Sequence, residues 1–216
     1  FIANLGASDE IAYHYELICK EWQEGGQLNF ESSFNRHGGA GLEFLFEHLA
    51  KKSDQKLKIE TIYLMAQILS KSKHRDFYAA FCDRLIPQII SFLGTNDAPR
   101  RKLIIALGWV GTLEQIDILI SEMLGSKDSL CRAWAAASLM QMSFHRVSQA
   151  ILRDKTKAAF LQSISSEKEL YACAVMIEAA QILFGKKWIS SSTAQNQEAE
   201  KIEKARKMAV RFLGRD

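Results

Sequence analysis

The chain has 216 residues with 28 Lys/Arg against 25 Asp/Glu, and 48% of its residues are hydrophobic. That is enough apolar material for one sizeable core or a run of stacked repeats, and it excludes a disordered chain. Only Pro87 and Pro99 interrupt it, and the glycines fall mainly between apolar-periodic segments, a pattern that favours helices joined by tight turns and leaves little room for a β-rich fold.

The net charge of +3 is unevenly distributed. Residues 186–216 hold eight Lys/Arg and four Asp/Glu, whereas the first 185 are balanced at 20 against 21. Nucleic-acid binding through phosphate neutralisation calls for a basic stripe along the body of the protein, so the charge balance disfavours it. No stretch approaches the roughly 20 apolar residues that span a bilayer, and the start lacks the basic-then-apolar order of a signal peptide. A cytoplasmic protein is therefore expected. The chain opens on Phe1 rather than methionine, which leaves a preceding segment open. Cys19, Cys82, Cys131 and Cys173 lie 63, 49 and 42 residues apart, without the close spacing of a zinc or redox motif. They read as buried thiols in a reducing compartment.

In chain order, residues 8–23 form an amphipathic helix with Ile11, Tyr15, Ile18 and Trp22 on one face, closed by Gly25-Gly26. The glycine-rich run His37 to Gly41 reads as a loop; it lacks the Lys-Ser/Thr of a phosphate-binding loop. From Gly41, LEFLFEHLAKK gives a first helix, Asp54 a cap, and IETIYLMAQILSK a second. The next pair runs from Leu85 to Gly111, with a turn at Gly94, Asp97 as cap and Pro99 in the first turn. The plan repeats from Leu113 to Ser143, with Gly125 as turn and Asp128 as cap. Arg100, Leu103, Ala106 and Leu107 recur 32 residues later as Arg132, Ala135, Ser138 and Leu139. A fourth pair spans Val147 to Gly185. Ser190 to Thr193 then reads as a polar linker, and Gln195 to Leu213 as a helix with Ala199, Ile202, Ala205, Ala209 and Phe212 inward. The prediction is one domain: an irregular cap over 1–40, repeats over 41–185, and a linker with a capping helix over 186–216.

Leu85, Pro87, Ile90 and Leu93, followed by Asp97, Arg100, Ala106, Leu107 and Gly108, resemble the HEAT repeat. The next unit, with Asp128, Arg132, Ala135 and Leu139, resembles the variant also seen in bilin lyases. The resemblance covers about 145 residues, Gly41 to Gly185. It implies an all-α, right-handed α-α superhelix of four to five helical hairpins whose second helices line a concave wall. Such families include scaffolds, transport receptors, lyases and one group of DNA glycosylases, so the fold alone does not select a function.

Trp109 and Trp134 fall in the second helices of adjacent central repeats, with Arg101, Lys102 and Arg132 nearby. Trp and Arg are enriched among binding hot spots, and these five residues are the expected contacts of a protein partner, in a scaffold, adaptor or regulatory binder. The structural alternative is that the tryptophans fill core between repeats and Arg132 bonds a neighbouring acid. Glycosylases of this architecture place an acidic residue close behind a tryptophan. Here Trp109 is followed by Val110, Gly111 and Thr112, and Trp134 by three alanines, which counts against that chemistry. The second reading is nucleic-acid binding through Lys186, Lys187, Lys201, Lys204, Arg206, Lys207 and Arg211; the third is a bilin-lyase-like subunit. His14, His37, His48, His74 and His145 form no recognised ligand spacing, and no cofactor or metal is expected.

Overall fold

Two helices open on the aspartates that the sequence places at their starts. Asp54 accepts from the backbone N–H groups of Lys56 and Leu57 at 2.8 and 3.2 Å, and Asp128 accepts from that of Cys131 at 2.9 Å. Each satisfies donors that a helix start leaves without an intrahelical acceptor. A computed structural model of the chain describes residues 7–25, 29–51 and 53–215, with Ala7 and Ser8 as backbone only. Gly26 of the expected first break and Lys52 of the expected first repeat lie outside the described residues.

The described residues are all-α, without a strand. In chain order the helices are α1 (Ala7–Glu24), α2 (Glu31–Phe34), α3 (Gly38–Lys51), α4 (Gln55–Lys71), α5 (Tyr78–Phe92), α6 (Asp97–Val110), α7 (Ile116–Gly125), α8 (Ser129–Met142), α9 (Gln149–Ser166), α10 (Leu170–Leu183), α11 (Ser191–Gln195) and α12 (Ala199–Leu213). They fall into two compact units, Phe1–Ser91 and Phe92–Asp216. The division cuts α5, inside the repeat that is clearest in the sequence.

In the first unit α1, α3 and α4 pack together around Ile18, Leu42, Leu45, Ile62 and Met65, all buried. The Tyr15 hydroxyl and Thr61 Oγ1 lie 2.7 Å apart inside this core. Gly25 closes α1 at φ +67, a left-handed position that suits glycine. The glycine-rich run is not a loop. Gly38 to Gly41 form the first turn of α3: Gly38 takes φ +57, and a Cβ on Gly41 would sit 2.7 Å from that of His37, so that glycine serves close packing.

In the second unit α6, α8, α10 and α12 pack in series, each on the next, while α7 and α9 form a second row against them. Leu103, Ile104, Ala106, Leu107 and Val110 of α6 are buried, as are Ala135, Ala136, Ser138, Leu139 and Met142 of α8. The core thus follows the 32-residue register. Small residues set the spacing where α6 meets α8. A Cβ on Gly108 would come within 2.7 Å of the Ser138 Cα, and the Ser138 hydroxyl donates to the Ile104 carbonyl at 2.9 Å.

Three local expectations are corrected. Asp97 is the first helical residue of α6 rather than its cap; Asn96 holds that place without a side-chain bond. The Ser190 to Thr193 linker is mostly helix: Ser190 caps α11, whose Thr193 and Ala194 are buried. The last helix begins at Ala199 rather than Gln195, Ala199 is exposed rather than inward, and Leu213 is buried where Phe212 is half-buried.

Candidate functional site

On α8 the positions Trp134, Ala137 and Gln141 recur at three and four residues. On α10 Tyr171, Val175, Glu178 and Ile182 do the same. Such spacing gives each helix one continuous stripe. Because α8 and α10 pack side by side and α10 also touches α11, the two stripes and the Ser191, Ala194 and Gln195 side of α11 enclose a groove of about 330 Å³. Trp134 and Tyr171 are half-buried in it, and Ile182 is 39% exposed. Glu178 is the groove's one ionisable carboxylate, and it accepts a hydrogen bond from the Ser191 hydroxyl. The opening is therefore mainly apolar, walled by a tryptophan, a tyrosine and Met140, with Gln141, Glu178, Ser191 and Gln195 as its polar lining.

The five residues expected from the sequence separate into different environments. Trp134 lines the groove, whereas Trp109, half-buried on α6, does not. Lys102 is half-buried on α6. The two arginines are engaged within the chain. Arg101 donates through Nε and one terminal nitrogen to both Asp128 oxygens, each at 2.7 Å. Arg132 does the same to Glu167, at 2.7 and 2.8 Å, and its other terminal nitrogen donates to the carbonyls of Ser126 and Lys127.

The two acids occupy similar but not identical places: Asp128 is the N-cap of α8, and Glu167 lies two residues before Glu169, the N-cap of α10. Glu167 accepts from the backbone N–H groups of Lys168 and Glu169 at the start of α10. An arginine on one second helix thus grips the carboxylate that organises the start of the next. Arg100 keeps the position of Arg132, each four residues after the N-cap of its helix, but it is Arg101 that bridges to the next helix start. Arg100 instead pairs with Glu122 of α7.

The electrostatics follow from these contacts. The Arg101 guanidinium holds the Asp128 carboxyl well below the usual range. Burial pushes Glu167 upward, but Arg132 and the two backbone donors outweigh it and leave the carboxyl below its ordinary value. A polar hollow of about 310 Å³ lies around this pair, beside Ser163, Ser166 and Lys168, but the Arg132 donors that reach it are already committed.

The first unit brings His14 and His37 together, which their spacing of 23 residues did not suggest. His14 Nδ1 and His37 Nε2 are 2.9 Å apart, and His14 Nε2 lies 2.9 Å from the Phe30 carbonyl. A carbonyl only accepts, so His14 Nε2 carries the hydrogen and, in the neutral pair, His37 donates to His14. Burial, then His14 and Arg36, lower the His37 pKa. Among the described residues no group of three or more His, Cys, Asp or Glu side chains is placed to hold a metal ion. Among them, too, no helix is long and apolar enough to cross a membrane.

Tyr171, Met140 and Ile182 are the groove residues that sequence reasoning passed over. The signal was present in the stripe from Tyr171 to Ile182, but it continues the apolar face of a largely buried helix, and only the packing partner of α10 determines which side stays open. The chain matches no family model, no curated protein and no solved structure.

Proposed function

We propose that the chain is a HEAT-like repeat protein that binds a protein partner, with the groove between α8, α10 and α11 receiving apolar side chains of that partner. The single observation that carries this is the pairing of Trp134 with Tyr171 in an open, mainly apolar groove built on consecutive second helices. Aromatic residues in a partly desolvated pocket are the usual anchors of protein recognition. The two-row packing of the second unit and its 32-residue core register support the repeat reading, and with it the superhelix of hairpins. Arg101 and Arg132 act in this proposal as struts that fix the spacing of the second helices, and Trp134 passes from a five-residue patch to the centre of the contact.

The test is capture from native lysate followed by titration of the purified partner. Trp134→Ala combined with Tyr171→Ala is expected to weaken binding at least tenfold, since truncating one interfacial hot spot costs about 2 kcal/mol or more, with the melting temperature within a few degrees of wild type. Equal affinity of the variant and the wild-type chain places the contact elsewhere and rejects the groove.

A further inference from the structure

We infer that the exposed face of α12 is a second binding surface, which takes the phosphate backbone of a nucleic acid independently of sequence. The seven cations expected from the sequence do not all remain available. Lys201 pairs with Glu198, and Arg206 pairs with Glu203 and is largely covered. After Glu203, the described part of α12 and its end carry only positive charge. Lys204, Lys207, Arg211 and Arg215 are exposed and fall at i, i+3, i+7 and i+11. Lys204, Lys207 and Arg211 form one helical stripe, about 10 Å long over seven residues at a rise of 1.5 Å, and Arg215 follows two residues past Leu213, the last residue of α12. Glu200, one turn before Lys204, is the acid on the same stripe. Among the described residues none of these four cations forms an ion pair.

The usual structural role for such cations is to satisfy and neutralise the carbonyl end of a helix. At α12 the backbone N–H groups of Gly214 and Arg215 bond the Val210 and Phe212 carbonyls, and Lys157 of α9 donates to the Arg215 carbonyl just past the helix; Arg211 lies in the last turn, and Lys204 and Lys207 precede it. Lys186 lies 4.6 Å from the centroid of the Phe212 ring, which adds a further cation beside the end of the stripe. The α12 row therefore has charge without an internal partner, on a helix whose apolar face, Ile202, Ala205, Ala209 and Leu213, is buried.

The same facts select the ligand class. Insertion of an amphipathic helix into a membrane surface needs a continuous exposed apolar face, and Met208, 39% exposed, is the large apolar residue that α12 shows to solvent. A protein partner needs apolar or aromatic anchors, which this stripe lacks. A linear polyphosphate needs only a row of cations, since affinity comes from neutralised phosphates and released counterions.

The probe is a fluorescein-labelled duplex of arbitrary sequence, titrated by anisotropy with the full chain at several salt concentrations. Binding at 50 mM NaCl is expected, with a log–log salt slope of about −3 to −4, near −0.9 per phosphate contacted. Lys204→Gln, Lys207→Gln and Arg211→Gln together should flatten the slope by about 2 to 3 and weaken binding at least tenfold, with the circular dichroism spectrum unchanged. Trp134→Ala should leave binding intact, which separates this surface from the groove. No binding at 50 mM NaCl, or a triple variant that binds like wild type, overturns the inference. Equal or tighter binding to phosphatidylserine vesicles or to polyglutamate also overturns it, because the surface would then not be selective for a nucleic-acid backbone.

Discussion

Replacing Arg132 by alanine tests whether this residue is a strut or a partner contact. Glu167, whose side chain is only 2% exposed, would keep the backbone donors of Lys168 and Glu169 but lose both guanidinium bonds. Removing one partner of a buried, bidentate pair costs about 3 to 5 kcal/mol, because the remaining charge stays desolvated. Arg132 is itself 21% exposed, and water entering the vacated space brings the expectation to the lower end, about 3 kcal/mol. For a chain of this size that is roughly 6 to 12 °C in melting temperature. Urea unfolding at 25 °C, followed by circular dichroism, measures it directly. The double variant Arg132→Met with Glu167→Leu should recover most of the loss, since an apolar pair of similar size removes the stranded charge. An Arg132→Ala variant within about 0.5 kcal/mol of wild type, the scatter of an ordinary surface substitution, would refute the strut and return Arg132 to the candidate contacts.

Gly108→Ala should destabilise by about 1 to 3 kcal/mol, because its new methyl meets the Ser138 backbone rather than a side chain that can swing away; Gly125→Ala, with open space around it, should not, and parallel urea curves compare the two. Glu167 and Asp128 have folded pKa values below their ordinary ones, so their contribution is complete above about pH 4.5 and is lost as the pH falls through the folded values. A melting-temperature series from pH 6 to 3 should drop steeply in wild type and less in the Arg132→Met, Glu167→Leu variant. His37, lowered from 6.5 among His14, Arg36 and Glu10, likewise adds stability above about pH 6.5 that fades as the pH falls, so His37→Gln should flatten the profile between pH 7 and 5. The buried thiols of Cys131 and Cys173 are each pushed up to about 11, chiefly by burial. Mass spectrometry should find both unalkylated after iodoacetamide at pH 7.5 and both modified once urea is added.

Much of the second unit was legible because its signals are local or periodic. Asp128 as cap, the turn at Gly125, and the 32-residue recurrence of Leu103 and Leu107 as Ala135 and Leu139 rest on backbone donors and helical stripes that a sequence displays directly. The arginine match was less secure: residues 100 and 101 differ by about 100° around the helix, and only the position of Asp128 decides that Arg101 makes the bridge. Asp97 failed as a cap because it shares its turn with Asn96, and two polar candidates side by side leave the helix start ambiguous by one residue. The His37 to Gly41 run was misread because glycine signals both loops and tight contacts, and the neighbour that distinguishes them, Phe34 with His37, is visible only in three dimensions. The groove depended on the same kind of information, since Trp134 and Tyr171 are 37 residues apart in sequence.

Helix length and groove geometry are separated in the second unit. Helices α6, α8 and α10 each have 14 residues, whereas α7 has 10 and α9 has 18. Most of the step from Arg101–Asp128, 27 residues apart, to Arg132–Glu167, 35 apart, lies in the longer α9. Both bridges nevertheless tie a second helix to the start of the next. Constant helix length and a repeated anchor at the same end keep the stripes of α8 and α10 level, while insertions collect in the other row, which does not line the groove. Lengthening the turn before α9, between His145 and Ser148, should therefore change stability but leave partner affinity nearly intact. Weakening the Arg132–Glu167 bridge should change both, because it lets α10 slide against α8 and moves Tyr171 away from Trp134. Measuring partner affinity and urea stability on those two variants distinguishes a groove held by the ladder from one held only by apolar packing.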